Sequence, residues 1–384
     1  MKICHVNMFY LPTFGGVEQV MNELAQRQVK DGHEVHVYCC DSDKNIRIKK
    51  KEEIIEGVHV HRLPYIFRLS MSTFIWPSLL WQFKNNFDVA HTHVSGHLYI
   101  LIIGFLSRLY GFKHIHTTHC PWTDLSFRPR ILKPFLLLND LIFNRLAYKI
   151  IDKVVAITPW ELTILNKYSK NKNKIIVINN GTDNIFFRRI KNNQFRKKYR
   201  IKEKYLILFF GRLNPTKGPE MLAKAAINIT KKRKDIAFVW VGPDEGKAEE
   251  VKQLIKDFKN MHYLGPLKGK EKVAEMYQAS DIYVLPSYRE GLPLTLFEAM
   301  ASGLPIVASP VNGVPFAIHE PENGFFTNYG DIKAIEEKIL LLIDNPELRK
   351  KMSENNMKKS KAYDWNDIYK RYMDEYENLL TENA

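Results

Sequence analysis

The strongest constraint in this sequence is an alternation of two patterns. Short runs rich in β-branched residues, at Ile3–Met8, Glu34–Cys39, Asp88–His93, Lys113–Thr118, Lys153–Thr158 and Lys174–Asn179, are separated by segments of helical period. Strands joined by helices predict parallel pairing, so the fold class expected is α/β. Between the first two runs, Val17, Val20, Met21, Leu24 and Ala25 fall at i, i+3, i+4, i+7 and i+8, which lays one apolar helical face on the sheet. The pattern breaks in the polar, basic stretch 186–193 and restarts at Tyr205–Phe210, with further strands expected at Asp235–Val241, Asp281–Pro286 and Pro305–Ser309. Three parts are therefore expected: residues 1–188, residues 189–362 and a terminal helix in 363–384. In that helix Trp365, Ile368, Tyr369, Tyr372, Met373, Tyr376, Leu379 and Leu380 share one face, and Asp364 is placed to cap its start.

Composition narrows the class. A chain of 384 residues, 45% hydrophobic, has ample material for packed cores. The formal charge of +15 calls for a polyanionic partner, and the excess lies mainly in residues 1–190, with 25 basic against 15 acidic side chains. Cys4, Cys39, Cys40 and Cys120 show no C-x-x-C spacing, which fits a reducing compartment. The start of the chain lacks the apolar core of a signal peptide, and the longest apolar stretch, Leu98–Leu106, is about half of what a membrane span needs. The expectation is a cytoplasmic protein, soluble or held peripherally on the inner face of a membrane.

Three segments carry chemistry. Gly15-Gly16 precede a helix, where a backbone free of Cβ atoms can approach an anion at the positive end of the helix dipole. They do not form the G-x-G-x-x-G fingerprint of an ordinary dinucleotide fold. Gly211-Arg212 follow a strand, with Lys217 five residues on, at the carboxyl edge where open α/β sheets bind ligands. A guanidinium fork and an ammonium suit a diphosphate. The third segment is Glu290-Gly291-Leu292-Pro293-Leu294-Thr295-Leu296-Phe297-Glu298. Pro293 suits a helix start, so Leu294 and Thr295 offer first-turn N–H groups to phosphate. Glu298 lies one turn in and can accept ribose hydroxyls, while Glu290 in the loop can accept hydroxyls of whatever hangs from the far phosphate.

The Glu290–Glu298 spacing is the E-x7-E pattern, and with it the chain resembles the retaining glycosyltransferases of family 4. The segments 154–161 and 178–183, together with Gly15-Gly16, Gly211-Arg212 and Lys217, fall in that family's order over essentially the whole chain. The resemblance implies the GT-B architecture: two Rossmann-like, doubly wound parallel-sheet domains facing a cleft, an acceptor-binding first domain, a donor-binding second domain, and a C-terminal helix crossing back to the first. It assigns Arg212 and Lys217 to the donor diphosphate, Glu298 to the ribose, Glu290 and His119 to the transferred sugar, and Gly16 to the phosphates. His119 is followed by Cys120-Pro121-Trp122 where the family places a small residue or Asp. By resemblance the reaction is retaining transfer of a hexose from a UDP- or GDP-sugar to a lipid-linked or cell-surface glycan acceptor. It needs neither a metal nor a resident cofactor, because Arg212, Lys217 and a helix N-terminus can stabilise the leaving diphosphate.

Other readings compete with this one. A nucleotide-sugar epimerase shares the architecture, and a non-catalytic nucleotide-sugar-binding partner would keep Arg212 and Glu298 yet lose Glu290 and His119. Six of thirteen histidines lie between His91 and His119. The pairs His91/His93 and His114/His116, with Asp88 or Asp124, would serve as zinc ligands if they converged. Finally, basic and aromatic residues interleave at Arg62–Arg68, Phe74–Trp81 and Phe127–Phe135. That composition suits contact with anionic lipid headgroups. No nucleic-acid recognition module is present, so nucleic acid is not an expected partner.

Overall fold

A computed structural model describes residues 1–13, 15–43, 46–70, 73–83, 86–119, 130–169 and 171–381. The chain forms two compact units, one of Met1–Asn180 with Asn366–Ala384, the other of Gly181–Trp365.

In the first unit the strands are β1 (Lys2–Val6), β2 (Glu34–Cys40), β3 (Glu52–Ile55), β4 (Val58–Leu63), β5 (Val89–His93), β6 (Lys113–Thr117), β7 (Lys153–Ala156) and β8 (Ile175–Val177). They form one eight-stranded sheet in the order β8-β7-β6-β5-β1-β2-β4-β3. Its central strands are buried on both faces, as a parallel sheet covered by crossover helices must be. Helix α1 (Gly16–Lys30) covers one face with Met21 and Ala25 against Val35, Val37 and Val60. Helix α2 (Leu98–Tyr110) covers the other with Ile100, Ile103 and Leu106 against Cys4, Val6 and Ala90. Helix α3 (Lys133–Ile150) packs beside α2.

The hairpin β3–β4 was not expected from the sequence. Glu56 and Gly57 turn it with φ of 48° and 85°, the conformation of a tight hairpin loop, and β4 then pairs in parallel with β2. This corrects the reading of Arg62 as a headgroup contact. Arg62 is 2% exposed, pairs with Glu53 and donates to the Leu11 carbonyl at 2.6 Å. Trp76 and Leu79 are likewise core residues. Ile66 and Trp81 in those segments stay exposed, and a larger exposed apolar group lies on Ile131, Phe135, Leu137, Leu138, Leu141, Ile142 and Leu146. Residues 120–129, which include Cys120, Asp124 and Arg128, lie outside the described residues.

The second unit has β9 (Tyr205–Phe210), β10 (Ile236–Val241), β11 (Met261–Tyr263), β12 (Ile282–Leu285), β13 (Ile306–Ala308) and β14 (Gly324–Phe326). All pair in parallel, in the order β11-β10-β9-β12-β13-β14. Helix α4 (Pro219–Lys232) lays Leu222, Ala226 and Ile229 on the side of Phe238 and Trp240. Helices α5 (Lys270–Ala279) and α6 (Leu294–Ala301) flank the strand ends that carry the expected site.

The units divide after Asn180 rather than after residue 188. Residues 181–188 are held by the second unit: Asp183 caps the turn Asn184–Phe187 and pairs with Lys270 at 2.5 Å, and the Phe186 and Tyr277 rings meet in a T-shape. The last helix, α7 (Trp365–Thr381), joins the first unit from Asn366 onward, with Ile368, Tyr372, Tyr376 and Leu379 buried. Among the described residues no helix is long and apolar enough to cross a membrane.

Candidate active site

In the second unit the three loops at the carboxyl ends of β9, β10 and β12 converge. After β9 the chain passes Gly211, Arg212 and Lys217 before reaching Gly218, which has φ 61°. A Cβ on Gly218 would lie 2.3 Å from the Pro286 carbonyl oxygen at the end of β12. Only glycine permits that approach. The approach brings Lys217 to Glu290: Nζ meets Oε2 at 2.5 Å, with the carboxylate 3% and the ammonium 17% exposed. The other Glu290 oxygen accepts from Ser287 Oγ at 2.6 Å, and Asn312 Nδ2 donates to the Glu290 carbonyl at 2.5 Å. Arg212, half exposed, bonds to Glu245 at 3.0 Å, a carboxylate that also accepts from Asn214. The two expected diphosphate ligands are thus each paired to a carboxylate.

Gly291, Leu292 and Pro293 lead from Glu290 into α6. The Gly291 carbonyl is held by Gly313 N–H at 3.2 Å, Leu292 is buried, and Pro293 sits at the N-cap with extended backbone. No side chain caps α6, whose first residues are Leu294 and Thr295. Tyr283 Oη bonds Thr295 Oγ1 at 2.8 Å and also donates to the Phe210 carbonyl next to Gly211 at 3.1 Å. One buried tyrosine therefore ties the loop after β9 to the first turn of α6. Glu298, buried one turn in, accepts from Tyr277 Oη at 3.0 Å, and Tyr277 also bonds the Thr295 carbonyl at 3.1 Å. Burial first, and the neighbouring Glu298 charge second, push the Tyr277 hydroxyl well above its ordinary pKa, so it stays a donor.

In the first unit Gly15 sits at the N-cap of α1 and Gly16 opens it, with no side-chain cap. His119 follows β6 with φ 50°, a conformation rare for a residue with a Cβ. Its Nε2 lies 3.2 Å from His93 Nδ1. Beside it, Thr118 Oγ1 donates to Glu161 Oε2 at 2.6 Å, an oxygen that also accepts from Ile157 N–H at 2.9 Å. Burial raises the Glu161 carboxyl to about 7 against those two bonds.

The strand register overturns the zinc reading from two converging histidine pairs. His114 pairs with Ala90 and His116 with Thr92, whereas Ile115 and Thr117 pair with His91 and His93. Facing residues of neighbouring strands share a sheet face, so the two pairs lie on opposite faces. His114 and His116 both bond Thr92 Oγ1 at 2.9 Å. His91 and His93 instead gather with His5, and these three are the one histidine, cysteine and carboxylate group among the described residues close enough to share a metal ion. Their nitrogens are engaged: His91 with Tyr376 and Thr117, His5 with Gln28 and His93, His93 with His5 and His119.

Sequence reasoning missed Glu245, Tyr277 and Tyr283, which hold the predicted residues in place. None lies within a motif segment. Strand alternation was the one available signal, and it places Tyr283 in a strand without indicating its hydroxyl's partners.

Residues 14–184 match the family described as Glycosyltransferase Family 4, and residues 191–359 match that described as Glycosyl transferases group 1. Among curated relatives, the N,N'-diacetylbacillosaminyl-diphospho-undecaprenol alpha-1,3-N-acetylgalactosaminyltransferase of Campylobacter jejuni is 27% identical over 77% of both chains. The D-inositol 3-phosphate glycosyltransferase of Corynebacterium glutamicum is 25% identical over 91% of this chain and 88% of its own. The solved structure of HepE from Anabaena in complex with UDP is 17% identical, with a TM-score of 0.79 over 98% of this chain and 100% of the other, and so shares the fold. The chain therefore belongs to glycosyltransferase family 4, and its two Rossmann-like domains are those of the GT-B architecture.

Proposed function

We propose that this glycosyltransferase moves a hexose from a UDP- or GDP-sugar, with retention, to a lipid-linked or cell-surface glycan acceptor, without a metal. The observation that carries the reading is the Lys217–Glu290 ion pair beside an α6 N-terminus that no side chain caps. A diphosphate entering there exchanges the carboxylate partners of Arg212 and Lys217 for its own oxygens, while the Leu294 and Thr295 N–H groups face its charge. As the glycosidic bond to phosphate breaks, negative charge grows on the leaving oxygen, and these fixed donors stabilise it. Glu290, released from Lys217, is then an acceptor for sugar hydroxyls, and Glu298, held by Tyr277, for ribose hydroxyls. The resemblance assigns Gly16, which follows Gly15, to the phosphates and His119 to the sugar. Retention follows from front-face attack, with the departing phosphate taking the acceptor's proton.

Two observations support a lipid-linked acceptor. The Campylobacter relative is named for a diphospho-undecaprenol acceptor. In this chain α3 and the turn before it expose Ile131, Phe135, Leu137 and Leu138, at 78%, 69%, 56% and 52%, with exposed Arg130 just before them and exposed Arg145 and Lys149 further along the same helix. Clustered exposed apolar side chains with basic neighbours fit a headgroup boundary, and a peripheral site on the inner face of a membrane goes with them. The test is release of nucleoside diphosphate from UDP- or GDP-hexoses in anionic vesicles, with and without a polyprenyl-diphosphate sugar. Release that depends on the acceptor supports the reading, and a matching rate without it contradicts the choice of acceptor.

A further inference from the structure

His119 closes a continuous line of hydrogen bonds that begins on α1. Gln28 Oε1 lies 2.8 Å from His5 Nε2, His5 Nδ1 lies 3.0 Å from His93 Nε2, and His93 Nδ1 lies 3.2 Å from His119 Nε2. Gln28, His5 and His93 are fully buried, and the Gln28 amide nitrogen is turned to Met373 Sδ at 3.9 Å, which leaves its oxygen toward His5. A carbonyl oxygen can only accept, so the first link has one polarity. We propose that Gln28, His5 and His93 are positioning residues that hold His119 as its Nε2–H tautomer, so that its bare Nδ1 is presented as a hydrogen-bond acceptor to a sugar hydroxyl.

Each step follows from the one before. His5 donates from Nε2 to Gln28, and a neutral imidazole with one N–H then has a bare Nδ1. His93 must donate to that nitrogen from Nε2, which leaves its own Nδ1 bare, and His119 must donate to it in turn. The rings stay neutral because burial lowers their basicity, to about 4 for His5, to about 3 for His119, and well below the ordinary value for His93. No described residue bonds His119 Nδ1. The left-handed backbone at His119, with φ 50°, is a second constraint on the same ring. An acceptor nitrogen selects a hydroxyl proton and refuses a lone pair, whereas the opposite tautomer would reverse that choice. The role given to Nδ1 rests on the assignment of His119 to the donor sugar, while the tautomer itself does not.

The experiment is a long-range proton–nitrogen correlation spectrum of the full chain labelled with 15N-histidine, the His119 signals being identified by their loss in His119→Ala. The expected result at pH 7 is a protonated Nε2 and a bare Nδ1 on His119, and a protonated Nδ1 in wild-type protein overturns the proposal with no variant needed. Gln28→Met removes the acceptor that sets the polarity. It is expected to mix the His119 tautomers and lower kcat about tenfold or more, as when the partner of a functional imidazole is removed, with a smaller change in donor KM. In a His119→Ala background the same substitution is expected to leave kcat where His119→Ala alone puts it, because the positioning acts only through that ring. Additive losses, or an unchanged tautomer and kcat in Gln28→Met, overturn the positioning role. Full turnover by His119→Ala instead removes the assignment of His119 to the sugar and leaves the tautomer to be read from the spectrum.

Discussion

Lys217 and Glu290, 73 positions apart in sequence, meet as an ammonium and a carboxylate 2.5 Å apart, at the carboxyl ends of two neighbouring strands. Glu290 is almost wholly buried and its second oxygen is held by Ser287. In the proposed function Lys217 trades this anionic partner for the donor diphosphate.

Replacing Lys217 tests that trade. Lys217→Met is expected to lower kcat by a factor on the order of 10²–10³, the range for losing one preorganised charge donor in a transition state. It is also expected to lower stability by about 3 kcal/mol, because Glu290 is left buried with its charge uncompensated. Steady-state kinetics and denaturant melts separate the two effects, and Glu290→Gln in the same background is expected to recover much of the stability and none of the turnover.

Tyr277 and Glu298 give a binding prediction. Tyr277→Phe removes the 3.0 Å bond that fixes Glu298 and is expected to weaken nucleoside diphosphate binding about three- to tenfold, the net worth of a typical hydrogen bond. Glu298→Ala is expected to weaken it further. Calorimetric titration with a 2',3'-dideoxy analogue distinguishes a ribose contact from general damage: in Glu298→Ala the analogue and the parent nucleotide are expected to bind alike.

Acid should destabilise the first domain. His5 and His97 are lowered by burial to about 4, and His114 and His119 to about 3, against 6.5 unfolded. Below pH 6.5 the unfolded chain binds protons that the folded one does not, so stability is lost as pH falls, by up to about 1.4 kcal/mol per pH unit for each histidine. Glu161 has the opposite sign. Its carboxyl is raised from 4.5 to about 7, so its contribution is present below pH 4.5 and is lost as pH rises through 7. Glu161→Gln, which keeps an oxygen for Thr118 and Ile157, is expected to be more stable than wild type above pH 7 and to lose that advantage at pH 5. Melting curves across this range check both signs.

The exposed face of α3 gives a membrane prediction. Phe135→Glu with Leu138→Glu is expected to abolish sedimentation with anionic vesicles while changing stability by no more than about 0.5 kcal/mol, since both side chains lie mostly in solvent. A variant that sediments like wild type would move the acceptor surface elsewhere.

The parts of this protein that were legible in the sequence are those fixed by local rules. The strands at 3–8 and 205–210, the α1 stripe of Val20, Met21 and Leu24, and the E-x7-E segment follow from period, turn chemistry and spacing within a dozen residues. What escaped depends on register and distance. Whether His114 and His116 face with or against His91 and His93 is decided by how β6 aligns with β5, which period alone does not set. Arg62 reads as a surface cation until the β3–β4 hairpin supplies Glu53 and buries it. Gln28 and His5 carry no motif, and their connection to His119 exists only because β1, β5 and β6 lie side by side in the sheet and α1 packs on one of its faces.

In the proposed function the second domain holds a nucleoside diphosphate on Arg212, Lys217 and the α6 N-terminus without a metal. Thermal shift with UDP, GDP and ADP, each at millimolar concentration, with EDTA and again with excess magnesium or manganese, tests it directly. Saturation to about 100 times the dissociation constant adds roughly 2.7 kcal/mol of stability. Stabilisation by UDP or GDP is expected to be equal with and without the metal and to be lost in Lys217→Met. Stabilisation that appears only with divalent metal, or none with any of the three, would contradict it.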